Sequence, residues 1–204
     1  MNHVAKTAID TVLDIFQHTK TLPSWIPKFI DLKRWCGMAK PLIKSRAIKT
    51  IKTYPGNTVA EALGIDLKVE HGDWSIDAIG TYSYTYKWSE NIYTRRHITM
   101  RAFNMEVWLH ELCHAVASEL DVDRFTALVE RHNPSVTLET EACLGAAALL
   151  AAWKPEGYMS EALRCFSTIK TQAMKGKCDP LKLCDRVRRD VERQVAMILE
   201  TENE

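Results

Sequence analysis

A chain of 204 residues with 46% apolar and 26% charged residues has the makings of one folded domain, which excludes global disorder and collagen-like repetition. The net charge of +1 hides a split. Residues 1–53 carry ten Lys/Arg against three Asp, a balance of +7, and the remainder carries 17 basic against 23 acidic residues, a balance of −6. Such a basic N-terminal segment is expected either to meet something anionic, nucleic acid among the candidates, or to present a solvated helix face. Asp10 and Asp14 interrupt the apolar pattern of the first twenty residues, which argues against a secretory signal. No apolar run reaches a bilayer-spanning length; the longest, Gly145 to Trp153, reads as a buried helix, so no membrane partner is expected. The six scattered cysteines read as free thiols in a reducing compartment, which makes the cytoplasm the expected location.

The elements follow in chain order. Val4, Ala8, Val12, Leu13 and Phe16 recur at helical spacing and predict an amphipathic helix over 4–18, ended by Leu22-Pro23. Two short helices are expected over 25–38 and 43–51, with Lys44, Arg46, Lys49 and Lys52 at polar positions. Tyr54-Pro55-Gly56-Asn57 is turn chemistry and separates the basic helical segment 1–53 from a domain over 54–204. A short helix over 58–63 precedes three predicted strands. Residues 65–70 alternate apolar and polar side chains, 78–86 set Tyr82, Tyr84 and Tyr86 on one face, and 92–100 follow. Beyond Asn104 the pattern is helical throughout: 105–120, about 123–131, 138–153, 159–174 and 180–202.

The chemistry lies in His110-Glu111-Leu112-Cys113-His114. Histidines four residues apart on a helix project from one face, a spacing that suits two nitrogens on one zinc ion (Zn2+). The intervening Glu111 is placed to act as general base on the water that the metal polarises. Asn104 reads as the N-cap of this helix, and Val107, Trp108, Leu112, Val116 and Leu120 supply its apolar positions. A third protein ligand is required, leaving one position for water. Glu139, Glu141 and His132 are the candidates. The two glutamates stand about 200° apart around their helix, so only one of them can face the metal, and periodicity does not choose.

Trp108-Leu-His-Glu-Leu-Cys-His-Ala, followed 25 residues after His114 by Glu139-x-Glu-Ala and further alanines, resembles the small gluzincin-like peptidases. These include the ImmA/IrrE family and the metallopeptidase domain of ArdC-type antirestriction proteins. The resemblance spans roughly residues 65–153. It implies a twisted sheet, an HExxH helix and a later helix whose glutamate is the third ligand, here Glu139, with Glu141 a non-ligating neighbour. Cys143 departs from the pattern, standing where those families carry a polar residue behind the ligands. The motif is also similar to SprT-like proteases linked to DNA–protein crosslink repair. Those take a third histidine in a His-Gly context, which His132-Asn133-Pro134 does not match.

The expected fold is α+β and zincin-like: a small twisted sheet, the HExxH helix, and a helical C-terminal part. The expected function is zinc-dependent hydrolysis of peptide bonds in a protein or peptide substrate, with Glu111 as base at a His110/His114/Glu139 site. The alternative is a nucleic-acid-associated protein, antirestriction or SprT-like, whose zinc site is structural or weakly active. Tyr82, Tyr84 and Tyr86 read as packing residues or as lining of a substrate cleft, and 78–86 either as a strand whose edge adds a peptide or as a buried central strand. Cys113 reads as a small buried hydrophobe. Cys178 and Cys184 lack the tight pairing of a second zinc site.

Overall fold

A computed structural model describes residues 3–19, 55–69, 80–87, 92–100, 104–131, 135–155 and 157–203. The helices expected over 25–38 and 43–51 lie outside these residues, as does His132. Seven helices are present among the described residues: α1 (His3–His18), α2 (Asn57–Ala62), α3 (Met105–Leu120), α4 (Val122–Arg131), α5 (Val136–Trp153), α6 (Tyr158–Lys175) and α7 (Pro180–Thr201). Three strands, β1 (Ile65–Val69), β2 (Gly80–Lys87) and β3 (Ile92–Met100), stand in the order β1-β3-β2. β1 runs parallel to β3 and β2 antiparallel to it, with Tyr82 opposite Ile98.

The expected α+β class is therefore corrected: the chain is mostly helical and is not organised around a twisted sheet. The alternating pattern of residues 65–100 marks strands without making their sheet the framework of the core. The strands place Ile65, Ile98 and Met100 in the core, whereas the helices supply nearly all the other buried apolar side chains. What organises the molecule is α5. Its thirteen buried residues include Leu144, Ala146, Ala147, Ala148, Leu149 and Leu150, and it is apolar around its whole circumference because α1, α3, α6 and α7 all pack against it. By length and composition this helix is also sufficient to cross a membrane, contrary to the sequence expectation, but 72% of it is buried among the other helices. That burial marks it as a core helix.

Local chemistry fixes the helix ends and crossings. Asn104 caps α3 by accepting from the backbone N–H of Val107 at 3.2 Å, as its sequence position predicts. Asp179 caps α7, accepting from Leu181 and Lys182, with Pro180 in the first turn. Gly56 adopts a left-handed conformation (φ 93°) against α3, where a Cβ would stand 2.6 Å from Leu112, and the Trp108 indole donates to Pro55 O at 3.0 Å. The +7 segment is not wholly separate from this core. Phe16 of α1 stacks on Phe166 of α6 at 4.1 Å between ring centroids, and Asp10 pairs with Arg188 of α7.

One close approach sets the site. A Cβ on Gly145 of α5 would lie 2.7 Å from Cys113 Sγ of α3, so a larger residue there would force the Cys113 side chain or the helix crossing to shift. Because α5 carries Glu139 and α3 carries the histidine pair, their separation governs the ligand geometry. Gly145→Val is expected to cost about 1–3 kcal/mol through overpacking. Urea denaturation of Gly145→Val and of Gly145→Val with Cys113→Ala checks it: the second change, by removing Sγ, should recover much of the loss.

Candidate metal centre

His110 and His114 sit one turn apart on α3, half-buried, with their Nε2 atoms 3.1 Å from each other and their rings nearly perpendicular. Glu139, in the first turn of α5, brings Oε1 to 3.4 Å from His114 Nε2 and Oε2 to 3.6 Å from His110 Nε2. These three residues form a group that can hold a metal ion. The fit is quantitative. Ligand bonds of about 2.0–2.1 Å at tetrahedral angles put neighbouring ligand atoms about 3.3 Å apart. The Nε2–Nε2 separation of 3.1 Å and the approaches of 3.4 and 3.6 Å, made by the two different oxygens of Glu139, lie close to that value.

Glu141 is placed elsewhere. It is buried, receives both guanidinium NH groups of Arg124 from α4, and accepts from Gln194 Nε2 of α7 at 3.1 Å. Arg124 also meets Asp190 at 3.1 Å. The 200° separation of the two glutamates thus sends one to the histidines and the other into a buried ion pair that ties α4 and α7 to α5.

Glu111, buried at 7% exposure, is not part of the ligand group. Its Oε2 accepts the backbone N–H of Tyr82 at 2.7 Å, so strand β2 is fastened to the motif helix through this carboxylate. The Tyr82 hydroxyl lies 3.1 Å from Ser118 Oγ, seven residues further along α3, and its ring packs edge-on to Phe125. Tyr82 therefore packs against α3 and α4. The side chains of Tyr84 and Tyr86 lie outside the described residues. The hold of Tyr82 on Glu111 had no sequence signal, because it uses a main-chain group that every residue but proline carries.

Behind the ligands, Cys143 Sγ lies 3.5 Å from His110 Nδ1. Burial pushes its thiol well above the ordinary value, so it meets the imidazole as a neutral, weak partner. Cys113 is fully buried against Gly145, and burial likewise raises its thiol. Glu106, one turn before His110, is almost wholly buried and accepts from Arg164 Nε at 2.7 Å. Burial raises its carboxyl, against the pull of Arg164. Sequence reasoning missed this residue, although Glu106, His110 and His114 share a spacing of four that points to it. Cys178 and Cys184 join no metal-binding group among the described residues.

The electrostatics of the trio are those of a deprotonated carboxylate facing imidazoles. Burial opposes charge on His110, but the hydrogen bond and charge of Glu139 outweigh it and raise the imidazole to about 8. Burial likewise opposes charge on Glu139, and hydrogen bonds from His110 and His114 hold its carboxyl far below the usual carboxylate range. The sign of the pH dependence differs between the two states. In the metal-free protein the raised His110 contributes stability that is complete below its unfolded value near 6.5 and is lost as pH rises through about 8. A metal ion needs the neutral imidazole, so its affinity is expected to fall about tenfold per pH unit below about pH 8 and to level off above it. Chelator competition between about pH 6 and about pH 9 measures this; a flat profile contradicts it.

No protein-family model matches the chain, and no curated protein or solved structure shows significant similarity to it. The geometry of the site carries the functional reading.

Proposed function

We propose that the chain is a zinc-dependent metallopeptidase of the HExxH type, with His110, His114 and Glu139 as ligands and Glu111 as general base. The resemblance to the gluzincin-like peptidases of the ImmA/IrrE and ArdC kinds motivates the reaction. The observation that supports it most is the arrival of Glu139 within 3.6 Å of both Nε2 atoms, from a helix 25 residues beyond His114, with Glu111 left out of the ligand group. Zinc bound there would supply Lewis acidity toward a peptide carbonyl and a water molecule. The residues contribute the rest. The two imidazoles present their Nε2 lone pairs once deprotonated, and Cys143 faces the opposite nitrogen of His110. Glu111 keeps Oε1 for a proton while Oε2 is occupied by Tyr82 N–H, which restrains the carboxylate. Among the described residues β2 is an edge strand, and extended peptide would pair there. The test is metal analysis of the purified protein, followed by digestion of unfolded protein substrates with and without a chelator. Cleavage that stops on chelation and returns with zinc supports the proposal. A protein that binds no metal refutes it.

A second reading has one observation in its favour. Because Glu111 fastens β2 to α3, a structural role suffices to explain a glutamate at this position even in a protein that hydrolyses nothing. On that reading zinc would be a staple between α3 and α5, in a protein with a binding rather than a catalytic task.

A further inference from the structure

From the outer face of α7 we infer that this chain binds the phosphodiester backbone of nucleic acid, through a row of four cations. Lys182, Arg186, Arg189 and Arg193 succeed one another at intervals of four, three and four residues, and all four are exposed. At 100° per residue they fall within about 60° of one face and extend about 16 Å along the axis. That face lies opposite Val187, Val191, Gln194 and Ile198, which are buried in the core.

Solvation alone accounts poorly for the row. It lies in the part of the chain whose balance is −6, yet the acids beside it are engaged elsewhere. Asp190 pairs with Arg124, and Glu192 with Arg188. Arg193 reaches Asp190 only at 4.0 Å, and the side chains of Lys182, Arg186 and Arg189 make no ion pair among the described residues. Asp185 is exposed at the margin of the row, and Glu200 stands on the same face two turns beyond Arg193. Three successive like-charge neighbours at i,i+3 and i,i+4 weaken the helix that carries them, so helix stability does not explain the arrangement. A line of external anions would relieve the repulsion.

The chemistry of the row selects the anion. Three of the four cations are arginines, whose planar fork matches a phosphate oxygen pair. A duplex carries about one phosphate charge per 1.7 Å of axis when both strands are counted, so a row of about 16 Å is long enough to meet several phosphates. A membrane surface fits less well. The apolar side of α7 is already spent in the core, and the large apolar residues that are exposed among the described residues, Val4, Met159 and Met174, lie on other helices. No base-reading group accompanies the charges, so binding is expected to be independent of sequence.

The experiment uses the full chain and a labelled DNA duplex of about 20 base pairs, titrated over a range of salt concentrations. The comparison is a variant carrying Lys182→Gln, Arg186→Gln, Arg189→Gln and Arg193→Gln. The wild type is expected to bind with a steep salt dependence. The variant should lose at least tenfold in affinity at about 100 mM salt, and its log–log salt slope should be shallower by about 3–4. Its melting temperature should be unchanged or higher, which separates loss of contact from loss of fold. Three results would overturn the inference: no binding by the wild type at low salt, equal affinity and slope in both proteins, or stronger binding to vesicles of anionic phospholipid than to the duplex.

Discussion

Glu139→Ala is expected to strip the metal while leaving stability little changed, and Glu141→Ala to keep the metal while lowering stability, although the two residues are separated by a single position. The carboxylate of Glu139 faces two imidazole nitrogens and little else, at 24% side-chain exposure. Its removal deletes one of three ligands. Since a group merely supporting a ligand is worth about 10- to 100-fold in metal affinity, loss of the ligand itself should exceed about 100-fold. His110→Ala and His114→Ala should abolish binding for the same reason. Glu141, at 1% exposure, instead neutralises Arg124 and accepts from Gln194 Nε2. Breaking a buried pair by removing one partner costs about 3–5 kcal/mol when the remaining charge is stranded. Arg124 is 30% exposed and retains Asp190 at 3.1 Å, so about 2 kcal/mol is the better expectation for Glu141→Ala. Elemental analysis and urea denaturation of both variants settle the assignment. Metal loss in Glu141→Ala without metal loss in Glu139→Ala would reverse the roles of the two residues.

The difference between those neighbours shows what could be read from the chain and what could not. Helical periodicity located α1, α3 and the later helices nearly to the residue, because each buries one apolar stripe or, for α5, its whole surface. The cap of α3 at Asn104 was equally legible, since the preference is local. The fold class was not. Alternation over 65–70 and the tyrosines of 78–86 do mark strands, but pattern does not report how much of the core a strand will own. Only the arrangement of α1, α3, α6 and α7 around α5 shows that the helices own it. At the site, the four-residue spacing displayed His110 and His114 on one face, and family resemblance pointed to Glu139. Physical grounds for preferring Glu139 over Glu141 came from tertiary structure, in the form of Arg124 and Gln194 reaching Glu141 from two other helices. Gly145 is similar. Within an alanine-rich run it looks interchangeable with its neighbours, yet a Cβ there would stand 2.7 Å from Cys113 Sγ.

Glu111→Gln is expected to retain both metal and fold and to lose peptide hydrolysis, whereas Glu111→Ala should lose hydrolysis and also loosen β2. The two substitutions separate roles that the wild-type side chain combines. Glutamine keeps a carbonyl oxygen able to accept the Tyr82 N–H now held at 2.7 Å, so the fastening of β2 to α3 survives. It has no carboxylate oxygen to take a proton from water, so a rate that depends on Glu111 as base should drop by about 100- to 10,000-fold. Alanine provides neither function. It leaves the Tyr82 N–H without its acceptor beside a buried position, at a cost of about 1–3 kcal/mol. Amide hydrogen exchange at Tyr82 reads the first role directly, with protection expected in wild type and Glu111→Gln and faster exchange in Glu111→Ala. Hydrolysis of an unfolded protein substrate reads the second. If Glu111→Gln cleaves at the wild-type rate, Glu111 is not the base. If wild type and Glu111→Gln both hold zinc and cleave nothing while Tyr82 exchanges rapidly only in Glu111→Ala, the carboxylate is a fastener and the zinc site a structural one.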